Sequence, residues 1–387
     1  MHDSSLLRAA LDARQGGPEM LAGALAASRA DTLATFAAFE RALPGLAVPL
    51  RAELNPPLWE LGHVGWFQEF WVGRNPERGR GCRAEANAPR LAPLRANADA
   101  LYNSSAVPHD SRWQLPLPDA AVTRDDLARQ LAQTLALLRE AGDGDDALYF
   151  FRLALLHEDM HHEAALYMAH GLGIPITDAR WQPEPLPAPP ALLHYDACDW
   201  RLGHSGTGFA FDNELPGLDV ALQPFSIDAQ ALRWAEYLPF VEAGDRPAPR
   251  HLRRAGGHWQ TWRDGEWQPL DLALAACHLT RDEAQAWCRW AGRRLPTEAE
   301  WELAACSRPE AFRWGDVWEW TASPFAPFPG FEPHPYRDYS APWFDGRPVL
   351  RGASHSTQPR MRHPRYRNFF PASRSDVPAG FRSCAAG

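Results

Sequence analysis

The first half of the chain reads as helices in its distribution of apolar residues. Residues 4–42 are rich in Ala and Leu and broken at Gly16, Gly17 and Pro18, which predicts a short helix and then a long one. A second segment begins after Asn55-Pro56-Pro57, where proline suits a helix start, and runs through LWELGHVGWFQEFWVG. The third is predicted from Thr123, with Asp125 and Asp126 in its first turn, to about Gly142. A fourth runs from about Asp146 to Gly171, where Gly171 and Pro175 supply the stop. Together these segments predict an antiparallel four-helix bundle.

Between the second and third segments, roughly residues 75–122 follow no helical pattern. A loop this long inside a compact domain is usually functional or disordered. Its stretch LYNSSAVPHDSRWQLPLP mixes aromatic and charged residues, which favours an active-site role. After the fourth helix, WQPEPLPAPPALL is Pro-rich with a single Glu and reads as a linker. Beyond it the segments are short and broken by Gly, Pro and Trp. One helix stands out there, from Thr280 to about Ala291, with Thr280 and Glu283 spaced as a capping box. The expected division is a helical domain at 1–175, a linker at 176–191 and a second domain at 192–387.

Composition narrows the function classes. The chain has 387 residues, 45% of them hydrophobic, so two domains with substantial cores are expected and global disorder is not. A formal charge of −9 argues against a nucleic-acid surface. Residues 1–17 lack an uninterrupted apolar run, so no signal peptide is expected there, and nothing approaches a membrane span. The six cysteines are scattered without CxxC spacing, which disfavours a disulfide scaffold and a cysteine zinc site and fits a reducing cytoplasm. Seventeen Trp fit either a large aromatic core or an aromatic pocket for a cationic ligand.

The candidate chemistry lies in LLHEDMHHEAALYM. His157 and His161 are four residues apart, so both imidazoles leave one helix face and can share a metal. Leu153, Leu156, Ala164 and Met168 lie on or beside that face and turn the pair inward. HEDMH also matches the HExxH zinc-protease pattern, with Glu158 as general base. The metzincin continuation, however, needs Gly and His where Ala164 and Tyr167 stand. His63, mid-helix in ELGHVGWFQEFW, is the best third ligand, although a lone His on an apolar face is more often a satisfied core residue. Three neutral imidazoles leave open positions that suit non-haem Fe(II), and a three-His zinc hydrolase fits the same donors.

PLWELGHVGWFQEF followed by HEDMHHE resembles the DinB-like bundle of the ergothioneine-type sulfoxide synthases. The second half resembles the formylglycine-generating-enzyme fold (C-type-lectin-like) attached to it, through TRDEAQAWCRWAGRRLPTEAEWE, GDVWEWTAS, VLRGAS and RYRNFF. A formylglycine-generating enzyme proper is not expected, because that chemistry needs two cysteines and residues 354–367 contain none.

The resemblance implies Fe(II)-dependent, O2-dependent bond formation at the imidazole C2 of hercynine (trimethylhistidine). It places His63, His157 and His161 as iron ligands. Tyr336 falls at the tyrosine that supplies a proton or hydrogen atom during oxygen reduction, and Tyr339 at a second pocket tyrosine. Asn368 falls at the residue contacting the trimethylammonium group. Members that take γ-glutamylcysteine carry Trp-Asp where this chain has Phe369-Phe370, so the carboxylate that would pair with the donor's amino group is missing. Met160 stands where many members have Gln. Arg374 and Arg112 remain as candidate donor-binding cations. These departures lead to the expectation of a selenosugar donor and a carbon–selenium product, as in the selenoneine synthase branch. The alternatives are carbon–sulfur bond formation from cysteine or γ-glutamylcysteine, and, in another class, a zinc hydrolase or a non-catalytic DinB-type binding module.

Overall fold

The computed structural model describes residues 4–204, 206–244 and 246–386. Helix α1 spans Ser4–Gln15 and α2 spans Pro18–Ala42, with Pro18 in the first turn, where its missing N–H costs nothing. Helix α3, Pro57–Gln68, opens in the same way and ends in a wider turn, Glu69–Gly73, where the Arg74 N–H reaches the Glu69 carbonyl. A short α4, Ala98–Tyr102, is followed by α5, Ala120–Arg139, and α6, Asp145–Leu172. Helices α2, α3, α5 and α6 form the bundle, with α6 packed against α2, α3 and α5. Among the described residues, no helix is long and apolar enough to cross a membrane.

Helix α5 starts three residues earlier than its acidic turn suggests, because Asp119 accepts the Val122 N–H as N-cap. The stop of α6 is Gly173, at φ 71°, and not Gly171. The stretch 75–122 is less irregular than expected: it carries 3-10 turns at Arg78–Arg83 and His109–Gln114 as well as α4. The Pro-rich stretch is packed down, with Trp181 and Leu186 buried and the Leu186 N–H on the Ala273 carbonyl.

The second half is rich in short strands. One four-stranded sheet runs Asn368–Phe369, Pro348–Gly352, Trp318–Pro324, Ala379–Gly380, with only the last pairing parallel. Another runs Leu193–Tyr195, Phe225–Ile227, Cys384–Ala385, Arg293–Arg294. Among the described residues three α-helices accompany them, not the single one expected: α7 at Trp234–Glu242, α8 at Arg281–Trp290 and α9 at Glu298–Ser307. Thr280 and Glu283 make the expected capping box, and Thr297 with Glu300 makes another for α9.

Helix α6 joins the halves. Glu163, buried, accepts from Trp318 Nε1, Ser354 Oγ and Thr357 Oγ1 at 2.7–2.8 Å. Asp159 takes both arms of Arg360 at 2.9 and 2.8 Å, and Arg14 of α1 meets Glu214 at 2.6 and 2.8 Å. Breaking one partner of such a buried pair typically costs about 3–5 kcal/mol. One buried apolar cluster accordingly runs from Trp59 and Phe67 in the bundle to Trp320 and Phe381 in the strand-rich half.

Candidate metal centre

Helix α3 presents His63 to the face of α6 that carries His157 and His161. The three ring centroids are 4.5–5.2 Å apart, and one ligand atom from each ring lies within 4.8 Å of the others. The rings are held from behind. His63 stacks on Trp59, one turn back, at 4.7 Å, and His157 lies flat on Phe67 at 3.4 Å. His63 Nδ1 donates to the Tyr102 carbonyl at 2.8 Å, and His161 Nδ1 donates to Glu60 Oε2 at 2.5 Å. Each of those bonds leaves Nε2 as the free lone pair, the arrangement metal-binding histidines use.

Electrostatics favours neutral imidazoles at His63 and His157. Burial, reinforced by His161, pushes His63 down to about 3, and burial holds His157 well below its ordinary value. Burial pushes the Glu60 carboxyl up, but the neighbouring His161, His63 and Arg112 outweigh it and hold Glu60 at about 2. His157 Nδ1 is buried without a hydrogen-bond partner, a cost that metal coordination removes. A nitrogen-only donor set with no carboxylate among the three suits Fe(II), Zn(II) or another divalent d-block ion. The protease reading fails on geometry. Glu158 is buried and bound by Arg29 at 2.7 and 3.0 Å, so it is no general base for a metal-bound water.

Tyr336 comes from the strand-rich half and packs edge-on against Phe67 at 4.9 Å, with its ring 6.1 Å from that of His157. Burial raises its phenol, so the hydroxyl keeps its proton at neutral pH. Tyr339 Oη donates to Tyr366 Oη at 3.0 Å, and Tyr366 Oη in turn reaches Met160 Sδ at 3.4 Å, between the two helix histidines. Asn368 lies in the edge strand, its Oδ1 accepting the Phe369 N–H at 2.9 Å. Phe369 stacks on Phe325 at 4.1 Å, and Phe370 faces Tyr167 of α6 at 6.5 Å.

Both expected donor arginines already have partners. Arg112 lies over the Trp59 ring at 3.9 Å and donates to Asn55 Oδ1 at 2.8 Å. Asn55 Nδ2 donates to Glu60 Oε1 at 2.5 Å, so Arg112 ends a polar chain that runs through Asn55 and Glu60 to His161. Arg374 lies over Phe370 and is gripped by Asp376 at 2.5 and 2.6 Å. Asn55, Glu60, Tyr366 and Asp376 were not singled out from the sequence. Glu60 alone carried a usable signal, standing one turn before His63 on the same face.

Residues 199–316 match the family described as a sulfatase-modifying factor enzyme 1-like domain. A hercynine oxygenase of Mycolicibacterium smegmatis is 30% identical to this chain, over 94% of this chain and 98% of its own length. A hercynine oxygenase of Mycobacterium tuberculosis matches to the same extent. The chain belongs to the hercynine oxygenase family. It is thus a non-haem iron-dependent oxidoreductase, built as a helical bundle followed by a β-rich formylglycine-generating-enzyme-like domain. A formylglycine-generating enzyme of Streptomyces coelicolor is 33% identical over only 29% of this chain and 46% of its own length.

Membership corrects the expected donor. Relatives spanning 94% of the chain are hercynine oxygenases, and a selenosugar donor with a carbon–selenium product does not stand. The physical premise fails as well. Phe370 does remove one carboxylate, but Asp376 restores one against Arg374, so the region is not stripped of negative charge.

Proposed function

We propose that this enzyme forms a carbon–sulfur bond at the imidazole C2 of hercynine, with a thiol amino acid (cysteine or γ-glutamylcysteine) as donor and O2 as oxidant. The ring C–H, the thiol S–H and O2 become a C–S(=O) sulfoxide and water, which balances hydrogen, oxygen and electrons. The reading rests on whole-length likeness to hercynine oxygenases, taken with three imidazoles converging from two helices.

His63, His157 and His161 would hold the iron, which supplies one-electron chemistry with O2 when bound. Glu60 and the Tyr102 carbonyl fix two of these rings in the tautomer that leaves Nε2 free. Tyr336 presents a protonated phenol beside His157 and is the group that gives up a proton as oxygen is reduced. Trp59, Phe67 and Trp71 wall this side and exclude water. Asn368, with the aromatic faces of Tyr339 and Phe369, is the proposed seat of the trimethylammonium group. Arg374 and Asp376 together present the charges that a zwitterionic donor needs: a cation for its carboxylate and an anion for its ammonium.

Residues 1–175 and 192–387 are proposed as the two domains, with 176–191 between them. A cytoplasmic setting is proposed because all six cysteines are free. The deciding experiment is incubation of the Fe(II) enzyme with hercynine and each thiol under O2, read by mass spectrometry. A sulfoxide adduct that forms only with O2 supports the reading; hercynine recovered unchanged with every thiol ends it.

A further inference from the structure

A second cluster of three histidines lies where α6 ends against the strand-rich half. His170 stands nine residues beyond His161 on the same helix, about 14 Å along its axis at ~1.5 Å per residue. His251 immediately precedes the strand Leu252–Ala255, and His278 lies shortly before α8. The His170 and His278 rings stack at 4.0 Å, and His251 stands 4.9 and 5.0 Å from them. One ring nitrogen from each lies within 4.8 Å of the others.

Three features separate this cluster from ordinary core histidines. His251 Nε2 and His278 Nδ1 are buried without a hydrogen-bond partner, where satisfied polar atoms are the rule. His278 holds a φ of 60°, a left-handed conformation that costs a non-glycine residue and tends to persist where it serves a site. The backbone carbonyls of Ser375 and Asp376 engage the His278 ring, which keeps the other nitrogen protonated and leaves Nδ1 as a lone pair. Burial holds His170 and His251 at about 3, so neither is charged near neutral pH. An open cleft lined by Tyr167, His170, Trp262, Cys277, His278 and His355 gives access.

We propose that His170, His251 and His278 form a second metal site, distinct from the His63, His157 and His161 centre, which takes zinc or a similar divalent d-block cation and clamps the end of α6 to the strand-rich half. Nitrogen-only donors select this class over Mg(II) or Ca(II). His170 Nε2 stands 3.4 Å from His251 Nδ1, and the His170 and His278 rings lie 4° from parallel, so one of them turns as the ion binds to bring its in-plane lone pair to it. Three imidazoles would then leave the ion a fourth position. The site ties together three segments distant in sequence, so its occupancy stabilises the interface between the halves.

The test is a zinc titration of the metal-free protein with metal analysis after gel filtration. Wild type is expected to retain two zinc ions per chain, His251→Ala and His278→Ala one each, and His63→Ala one. Zinc should raise the melting temperature of His63→Ala but much less that of His63→Ala/His278→Ala. Zinc content that neither His251→Ala nor His278→Ala lowers overturns the proposal. Circular dichroism of each variant separates loss of a ligand from loss of fold. In His63→Ala, whose second cluster is intact, X-ray absorption at the zinc edge is expected to read three imidazoles; a shell of oxygen alone also overturns the proposal.

Discussion

Glu60 accepts the Nδ1 proton of His161 at 2.5 Å while its other oxygen takes a hydrogen bond from Asn55. One carboxylate thereby orients a candidate iron ligand and connects it to Arg112. The partners behind metal-binding histidines typically govern metal affinity by about 10- to 100-fold. Glu60→Gln is expected to weaken iron binding by about that factor while the bundle stays folded. Iron affinity measured by competition with a chelator checks it; unchanged affinity would show that His161 needs no such support.

His63→Ala, His157→Ala and His161→Ala are each expected to lose most bound iron and all turnover. Helix packing supplies the bundle's stability, so circular dichroism should stay close to wild type. Full iron occupancy in any one variant removes that residue from the ligand set.

Much of this centre was legible in the sequence, because a four-residue spacing on a helix fixes a shared face whatever the tertiary context. His63 could be singled out because it interrupts an otherwise apolar helix face. Helices α7 and α9 were missed for opposite reasons. Helix α7 carries Pro239 inside it, which local propensity counts against a helix. Helix α9 is so fully buried, with Glu300 and Glu302 inside, that its acidic residues read as surface. The pairing of Arg374 with Asp376 was out of reach in another way. It depends on how a loop folds over Phe370, and no residue spacing encodes that.

His334 gives a pH dependence with a definite sign. Burial lowers it to about 4, and its Nδ1 meets Tyr149 Oη of α6 at 2.9 Å. The unfolded state therefore binds the proton first as pH falls. Stability is full above about 6.5 and declines toward pH 4, by at most ~1.4 kcal/mol per pH unit for this one group. Metal-free protein is expected to lose urea resistance over that window, and His334→Gln to flatten the slope. An equal slope in both proteins rules out His334 as a contributor.

Tyr336→Phe removes the hydroxyl and leaves the ring packing on Phe67 in place. Iron content and hercynine affinity are expected to hold. Product formation should fall by about 10²- to 10⁴-fold, the usual range for a positioned proton donor, or divert to oxidation of the thiol. Rate and product ratio measured together separate these outcomes, and no change in either would mean that Tyr336 moves no proton in the reaction.

The donor can be tested at the Arg374–Asp376 pair. A zwitterionic thiol brings a carboxylate and an ammonium, and burying either without a partner typically costs several kcal/mol. Arg374 and Asp376 already balance each other beside Phe370, so a zwitterion could exchange with that pair without leaving a net charge behind. Asp376→Asn removes the negative partner and keeps the shape. A charge-assisted hydrogen bond contributes about 1.5–3 kcal/mol, so the donor KM is expected to rise roughly 10- to 100-fold, with hercynine KM and iron content unchanged. Arg374→Ala should act in the same direction, on the same substrate only. A donor such as mercaptoethanol, which has neither charge, provides the control: its KM should be indifferent to both substitutions. If the two variants raise the KM for mercaptoethanol as much as for cysteine, the pair shapes the pocket and does not recognise the donor's charges.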